Sequence, residues 1–253
     1  MALTHRAFLF DSQAFREKAA PLVAALDSGT ARPLFEVALQ ALSQADQDRW
    51  ILSEYGSSLF DIHKLNFVGL PLKEPVEERL ENPSRIDSED IGYWFLLVFS
   101  TFLRRHIGIG VDFSILGWAL SKLGWKPKTV RLLFDGTPTS VLLKSTSQRQ
   151  PRLLSGLEPY WFWIRPSHSQ GGGGWLSKAQ ISELRDRLQL AGEPLRNFDP
   201  ERFGDRWGLM PITVPDGQYD YLKRLHAAYE RANQMLAVAQ QENSDLYMLR
   251  TYT

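Results

Sequence analysis

The 253-residue chain contains no cysteine. This absence excludes disulfides, thiolate nucleophiles and cysteine-ligated zinc together, and it fits a reducing compartment. An excess of charge of either sign is also missing, since 29 lysines and arginines balance 29 aspartates and glutamates. Because the chain as a whole lacks the positive field that draws proteins to phosphate backbones, nucleic acid is disfavoured as its main ligand.

Long hydrophobic runs are absent as well. The longest run, YWFLLVFSTFL at 93–103, stops at Arg104 and Arg105, whereas a bilayer requires roughly 20 apolar residues. The run Ala7–Phe10 ends at Asp11 and is too short for the core of a signal peptide. We therefore expect a cytoplasmic protein without membrane association.

The apolar content is sufficient for a packed core. Apolar residues make up 43% of the chain, including 8 Trp and 14 Phe, and this length lies near the upper limit for one hydrophobic core. The stretch 70–88 carries three prolines among alternating charges, which favours an exposed linker after a helical N-terminal lobe. We expect a single globular domain over 1–253, with 70–88 as its candidate linker.

Apolar residues at spacings of three and four predict helices over most of the chain. Ser12 can cap the first helix, which Pro21 should kink or restart. Ser177 and Gln180 form a capping-box pattern at the start of another helix, with Ile181, Leu184 and Leu188 on one face. The other predicted helices cover 33–43, 88–106, 112–123 and 216–241.

The middle of the chain predicts strands. TVRLLF at 129–134 and SVLLK at 140–144 are rich in residues that favour strands, and the loop between them suits a hairpin. YWFWI at 160–164 reads as a third strand. The predicted class is therefore a helix-rich α+β domain whose small antiparallel sheet, at about 129–164, lies between helical N- and C-terminal parts.

Four consecutive glycines, Gly171, Gly172, Gly173 and Gly174, do not match a nucleotide-binding motif. A phosphate-binding loop requires a lysine after its last glycine, where this chain has Trp175. Leu176 replaces the third glycine of the dinucleotide fingerprint. The run instead indicates a flexible loop, either slack on the surface or acting as a lid. An anion at the amides of the following helix remains a weaker alternative.

The aromatic strand and the glycines supply the candidate binding residues. Either both faces of the strand are buried, or one face is an exposed platform. In the second case the anchors are of the types enriched at binding hot spots. They are Trp161, Trp163, Arg165, His168 and Trp175.

The sequence shows neither a metal-binding motif nor a catalytic motif, so catalytic residues stay unassigned and no cofactor is expected. Residues 122–152 carry seven basic residues against Asp135 alone, which could steer an acidic partner. We expect a non-catalytic protein-binding factor, such as an adaptor, inhibitor or immunity-type factor, with a protein partner. The alternative is an enzyme acting on a small-molecule ligand, with 165–175 as its lid and His168, Arg165 and Asp135 in the pocket.

Overall fold

The computed structural model describes residues 3–43, 101–111, 113–138, 166–167, 171–199 and 221–252, together with Ile91, Trp94, Phe95, Val98 and Phe99. Within this part the chain is helix-rich and carries one sheet, which confirms the predicted α+β class. The linker predicted at 70–88 lies outside the described residues. So do the strands predicted at 140–144 and 160–164.

The described strands and helices are numbered in chain order. The strands are β1 (Leu3–Phe10), β2 (Leu103–Val111), β3 (Thr137–Pro138), β4 (Pro166–Ser167), β5 (Gly171–Leu176) and β6 (Asp245–Tyr252). The helices are α1 (Ser12–Asp27), α2 (Arg32–Ser43), α3 (Phe113–Lys122), α4 (Pro127–Asp135), α5 (Lys178–Leu190), α6 (Gly192–Arg196) and α7 (Tyr221–Gln241).

The chain divides into two compact units. The first unit comprises Met1–Phe10, Arg105–Pro138 and Arg165–Thr253, and it holds most of the sheet with α3 to α7. The second unit comprises Asp11–Arg104 and Thr139–Ile164, and it holds α1 and α2.

The strand order in the sheet is β2-β1-β6-β5-β3, and β4 pairs with β5. Strand β6 lies at the centre and is antiparallel to both β1 and β5. The first and last described strands are therefore neighbours, and the sheet is assembled from segments that are far apart in sequence.

The register of the sheet gives it two apolar faces. Leu9, Leu246 and Leu176 are opposite one another across β1, β6 and β5, and all three belong to the core that packs against the helices. On the other face Phe8 and Tyr247 are paired, and both are buried. Burying each such side chain contributes about 1.5–3 kcal/mol.

Apolar stripes on α5 and α7 face the same core. The predicted stripe of Ile181, Leu184 and Leu188 on α5 is buried as expected. Helix α7 ends at Gln241, the predicted position, and buries six residues in the first unit. These are Leu225, Ala228, Ala232, Met235, Leu236 and Ala239.

In the second unit α1 runs unbroken from Ser12 to Asp27 with Pro21 inside it. Of the two alternatives predicted for Pro21, a kink or a new helix start, the new start is wrong. Asp11 is the N-cap of α1, and its carboxylate accepts the Ala14 amide at 3.0 Å. The ring of Phe15 makes edge contacts with the rings of Phe95 and Phe99, at centroid distances of 6.1 and 5.2 Å. This aromatic cluster anchors α1 in its unit.

The strand predicted at 129–134 is wrong, because these residues lie within α4. Pro127 occupies the first turn, where its missing amide costs nothing. Leu133 and Phe134 are buried while Arg131 is exposed, so the apolar residues follow the helical period. Gly136, with a φ of 68°, terminates the helix.

The predicted extent of the 88–106 helix is also wrong, because β2 begins at Leu103. Isoleucines 107 and 109 and Val111 alternate with glycine, which is the period of a strand. That alternation indicates a strand. The charged pair Arg104 and Arg105 resembles the C-terminus of a helix and so favoured the longer helix instead.

Candidate functional site

Most of the predicted aromatic site cannot be placed. Trp161, Trp163, Arg165 and His168 lie outside the described residues, so the structure neither joins nor separates them. Trp175 is described and is half-buried on β5, paired with Tyr247 on β6. No acceptor among the described residues bonds its buried indole Nε1.

Gly171–Gly174 form the beginning of β5 rather than a flexible loop. The strand is hydrogen-bonded to β6 on one side and to β3 and β4 on the other. A strand paired on both edges cannot swing as a lid, so the loop expectation is corrected for these four residues.

Close backbone approach explains why β5 needs a glycine at position 174. A Cβ atom at Gly174 would lie 2.1 Å from the carbonyl oxygen of Asp135 and 2.9 Å from that of Thr137. Gly136, across the contact, would place its own Cβ 2.7 Å from the Gly174 carbonyl carbon. The end of α4 therefore rests directly on β5, and neither position admits a side chain.

Backbone amides at the start of α5 already donate hydrogen bonds to other protein groups. The predicted capping box is present: Ser177 Oγ accepts the Gln180 amide at 3.3 Å, and Gln180 Oε1 accepts the Ser177 amide at 2.9 Å. The Lys178 amide donates to the carboxylate of Asp245 at 3.0 Å. Because these amides have internal acceptors, the anion site considered at this helix start is not supported.

The first unit carries a groove beside the connection from α3 to α4, which we call the Trp125 groove. Its volume is about 500 Å³. It is lined by Leu123, Gly124, Trp125, Lys126, Thr129, Arg187, Leu190, Ala191 and Pro194.

Local sequence explains how one wall of this groove forms. Gly124 ends α3 with a φ of 87°, and Pro127 starts α4. Trp125 and Lys126 are therefore confined to the short link between the two helices. Neither residue was singled out from the sequence as a candidate anchor, although the glycine and proline on either side marked a tight, surface-exposed connection.

The opposite wall comes from the end of α5. Leu190 is the last residue of α5 and its side chain is 81% exposed. The chain then turns directly into α6, which can lie close to α7 because Gly192 has no side chain. A Cβ there would meet the Tyr229 hydroxyl at 2.5 Å.

The charged residues that line the groove are both cationic. Lys126 is exposed. Arg187 pairs with Glu183 one turn earlier at 2.9 Å, but both side chains are more than half exposed, so this pair contributes little to stability. The groove therefore combines apolar anchors with positive charge.

Near this groove the pKa of the Tyr229 phenol is raised above its usual value of 10.0. Burial is the main cause, the neighbouring Glu230 carboxylate adds to it, and Arg196 opposes it. The phenol is therefore neutral at physiological pH and packs against Gly192.

No protein-family model matches this chain, and no curated protein or solved structure is significantly similar to it.

Within the part of the chain that the structure describes, histidines, aspartates and glutamates do not gather in groups of three that could hold a metal ion. Every helix there is also too short or too polar to span a bilayer. Asp135, the residue placed in the pocket of the alternative enzyme, lines a separate groove beside α3 and α4.

Proposed function

We propose that the protein is a non-catalytic binding factor that docks an acidic segment of another protein in the Trp125 groove. The observation that carries this proposal is Leu190, a large apolar side chain left 81% exposed in a groove that also contains Trp125. Single exposed leucines are ordinary. Leu190 shares its concavity with Trp125 and Arg187, and tryptophan and arginine are residue types enriched at binding hot spots.

Apolar burial would provide most of the affinity. Covering a leucine removes it from water and contributes about 1.5–3 kcal/mol. Trp125 is half-buried and presents a rigid ring whose ordering on binding costs little entropy. A partner segment with one or two apolar side chains would fill the groove between these two residues.

Charge favours an acidic partner. Among the described residues that line the groove, the charged ones are Lys126 and Arg187. The adjacent α3–α4 segment at 113–135 carries four basic residues against Asp135. Such a field accelerates association with acidic segments and weakens as salt is added.

The test begins with recovery of a partner from the native source and measurement of its affinity for the purified protein. We expect Leu190→Asp to weaken binding by at least about tenfold, because it replaces the apolar anchor by a charge that repels an acidic segment. Lys126→Glu should weaken binding as well, and mainly by slowing association.

The matched control is Leu222→Asp, which adds the same charge at another exposed leucine, on α7 and outside the groove. It should bind like the parent protein. If the affinities of Leu190→Asp and Leu222→Asp are equal, the Trp125 groove is not the docking surface. If the recovered partner is a basic protein, the proposed partner class is wrong.

A further inference from the structure

A second groove in the first unit opens between α3 and α4, and we call it the His5 groove. Its volume is about 390 Å³, within the range of small-molecule sites. It is lined by His5, Phe113, Ser114, Gly117, Trp118, Ser121, Val130, Arg131, Phe134 and Asp135.

The His5 groove has an aromatic interior. His5 is 3% exposed, and its ring lies 5.0 Å from the ring of Phe113 and 6.1 Å from that of Phe134. The two phenylalanine rings are themselves 5.3 Å apart. A flat ring entering the groove would therefore meet ring edges and faces, the arrangement that aromatic pairs prefer.

Small residues on α3 leave the space open. Gly117 lets α4 approach, since a Cβ there would lie 3.1 Å from Phe134 and 3.3 Å from Val130. Ser114 and Ser121 are one turn before and one turn after it, on the same face of the helix. The Ser121 hydroxyl donates to the Gly117 carbonyl at 2.8 Å, so its oxygen still presents acceptor capacity.

Two opposite charges lie one turn apart on the α4 wall. Arg131 is exposed, and no carboxylate among the described residues pairs with its guanidinium. Asp135 is half-buried at the last residue of α4, where the helix dipole makes a negative charge unfavourable.

We propose that the His5 groove binds a small zwitterion with an aromatic body, the chemistry of an aromatic α-amino acid. The ring fills the interior beside Phe113 and Phe134. The ligand carboxylate accepts hydrogen bonds from Arg131, and the ligand ammonium donates to Asp135. This site is separate from the Trp125 groove and does not depend on the proposed docking function.

Three ligands that share a phenyl ring and differ in their charged groups test the proposal by calorimetric titration of the whole protein. L-phenylalanine carries both charges, 3-phenylpropionate lacks the ammonium and phenethylamine lacks the carboxylate. We expect L-phenylalanine to bind at least about fivefold more tightly than either analogue, because each charge-assisted hydrogen bond adds affinity.

Two variants test which protein residue binds each charged group of the ligand. Arg131→Gln should weaken L-phenylalanine and 3-phenylpropionate by about tenfold and leave phenethylamine unchanged. Asp135→Asn should weaken L-phenylalanine and phenethylamine and leave 3-phenylpropionate unchanged. Lys128→Gln removes a charge from the same helix outside the groove and should change none of the three affinities.

Several results would overturn the inference. They are the absence of L-phenylalanine binding at millimolar concentration, equal affinities for the three ligands, and the same loss for Lys128→Gln as for Arg131→Gln. Circular dichroism establishes that each variant is folded. Should Asp135→Asn fail to fold, the Arg131→Gln comparison still decides the proposal, because Arg131 is exposed.

Discussion

At the scale of single residues, Gly174 is where the sequence and the fold constrain each other most tightly. The glycine run was predicted to be a flexible loop, but the structure uses it as a paired strand under the end of α4. The same property, the absence of a side chain, produces either outcome. Only the position of the Asp135 carbonyl decides between them.

Replacing Gly174 by alanine should destabilise the protein by about 3 kcal/mol, because the new Cβ would overlap the Asp135 and Thr137 carbonyls, which belong to the backbone and cannot rotate away. Urea unfolding measures the effect. Gly124→Ala is the control: it has open space around it but a φ of 87°, so it should cost only about 1 kcal/mol of strain. Equal losses for the two variants would contradict the close approach.

Tyr229 predicts a dependence on alkaline pH. Its pKa is raised in the folded protein, so above about pH 10 the unfolded chain ionises this phenol before the folded protein does. Stability should therefore fall as pH rises past that value. In Tyr229→Phe the fall should be shallower, as measured by urea unfolding across the alkaline range.

Near neutral pH the phenol is protonated in both states, so that condition is the reference for Tyr229→Phe. Any difference there reports the lost hydroxyl contacts alone. Stability curves that stay parallel from neutral to alkaline pH would show that Tyr229 does not titrate differently on folding.

At the scale of elements, the predictions that the structure confirms depend on interactions between residues close in sequence. The start of α5 was predicted because the bonds between Ser177 and Gln180 join residues three apart, whatever surrounds them. Helix α4 was missed because TVRLLF satisfies a strand propensity and a helical period at once. The segment forms a helix that buries Leu133 and Phe134, so the helical period describes it correctly.

The capping box gives a prediction for α5. Ser177→Ala should destabilise the first unit by about 1 kcal/mol, because the Gln180 amide loses its acceptor. Thermal unfolding checks the loss. Ser121→Ala is the matched control: its hydroxyl bonds a carbonyl within α3 and caps nothing, so its removal should be close to neutral. A larger loss for Ser121→Ala than for Ser177→Ala would contradict this assignment.

At the scale of the whole molecule, the sheet depends on pairings that no local pattern reveals. Strands β1 and β6 are separated by more than 200 residues of sequence and still form its centre, Ala7 opposite Met248. Neither segment was predicted as a strand. The strand character of each segment becomes stable only when its partner covers its backbone.

The same separation limits what could be predicted about function. Leu190 and Trp125 share a groove although they are 65 positions apart in the sequence, and His5 meets Phe134 across more than half the chain. The site predicted from sequence was assembled instead from neighbours along the chain, between 161 and 175. Adjacency along the chain is the only proximity that a sequence shows.

The amino-acid sequence by itself determined the class of this protein and the apolar stripe and cap of α5, because these depend on periodicity and on bonds within one turn. The tertiary structure alone decided that the glycines form a strand, that 127–135 is a helix, and which charged and aromatic side chains share a groove. Those outcomes depend on contacts between distant segments, whose free energy is gained only when the chain is already folded.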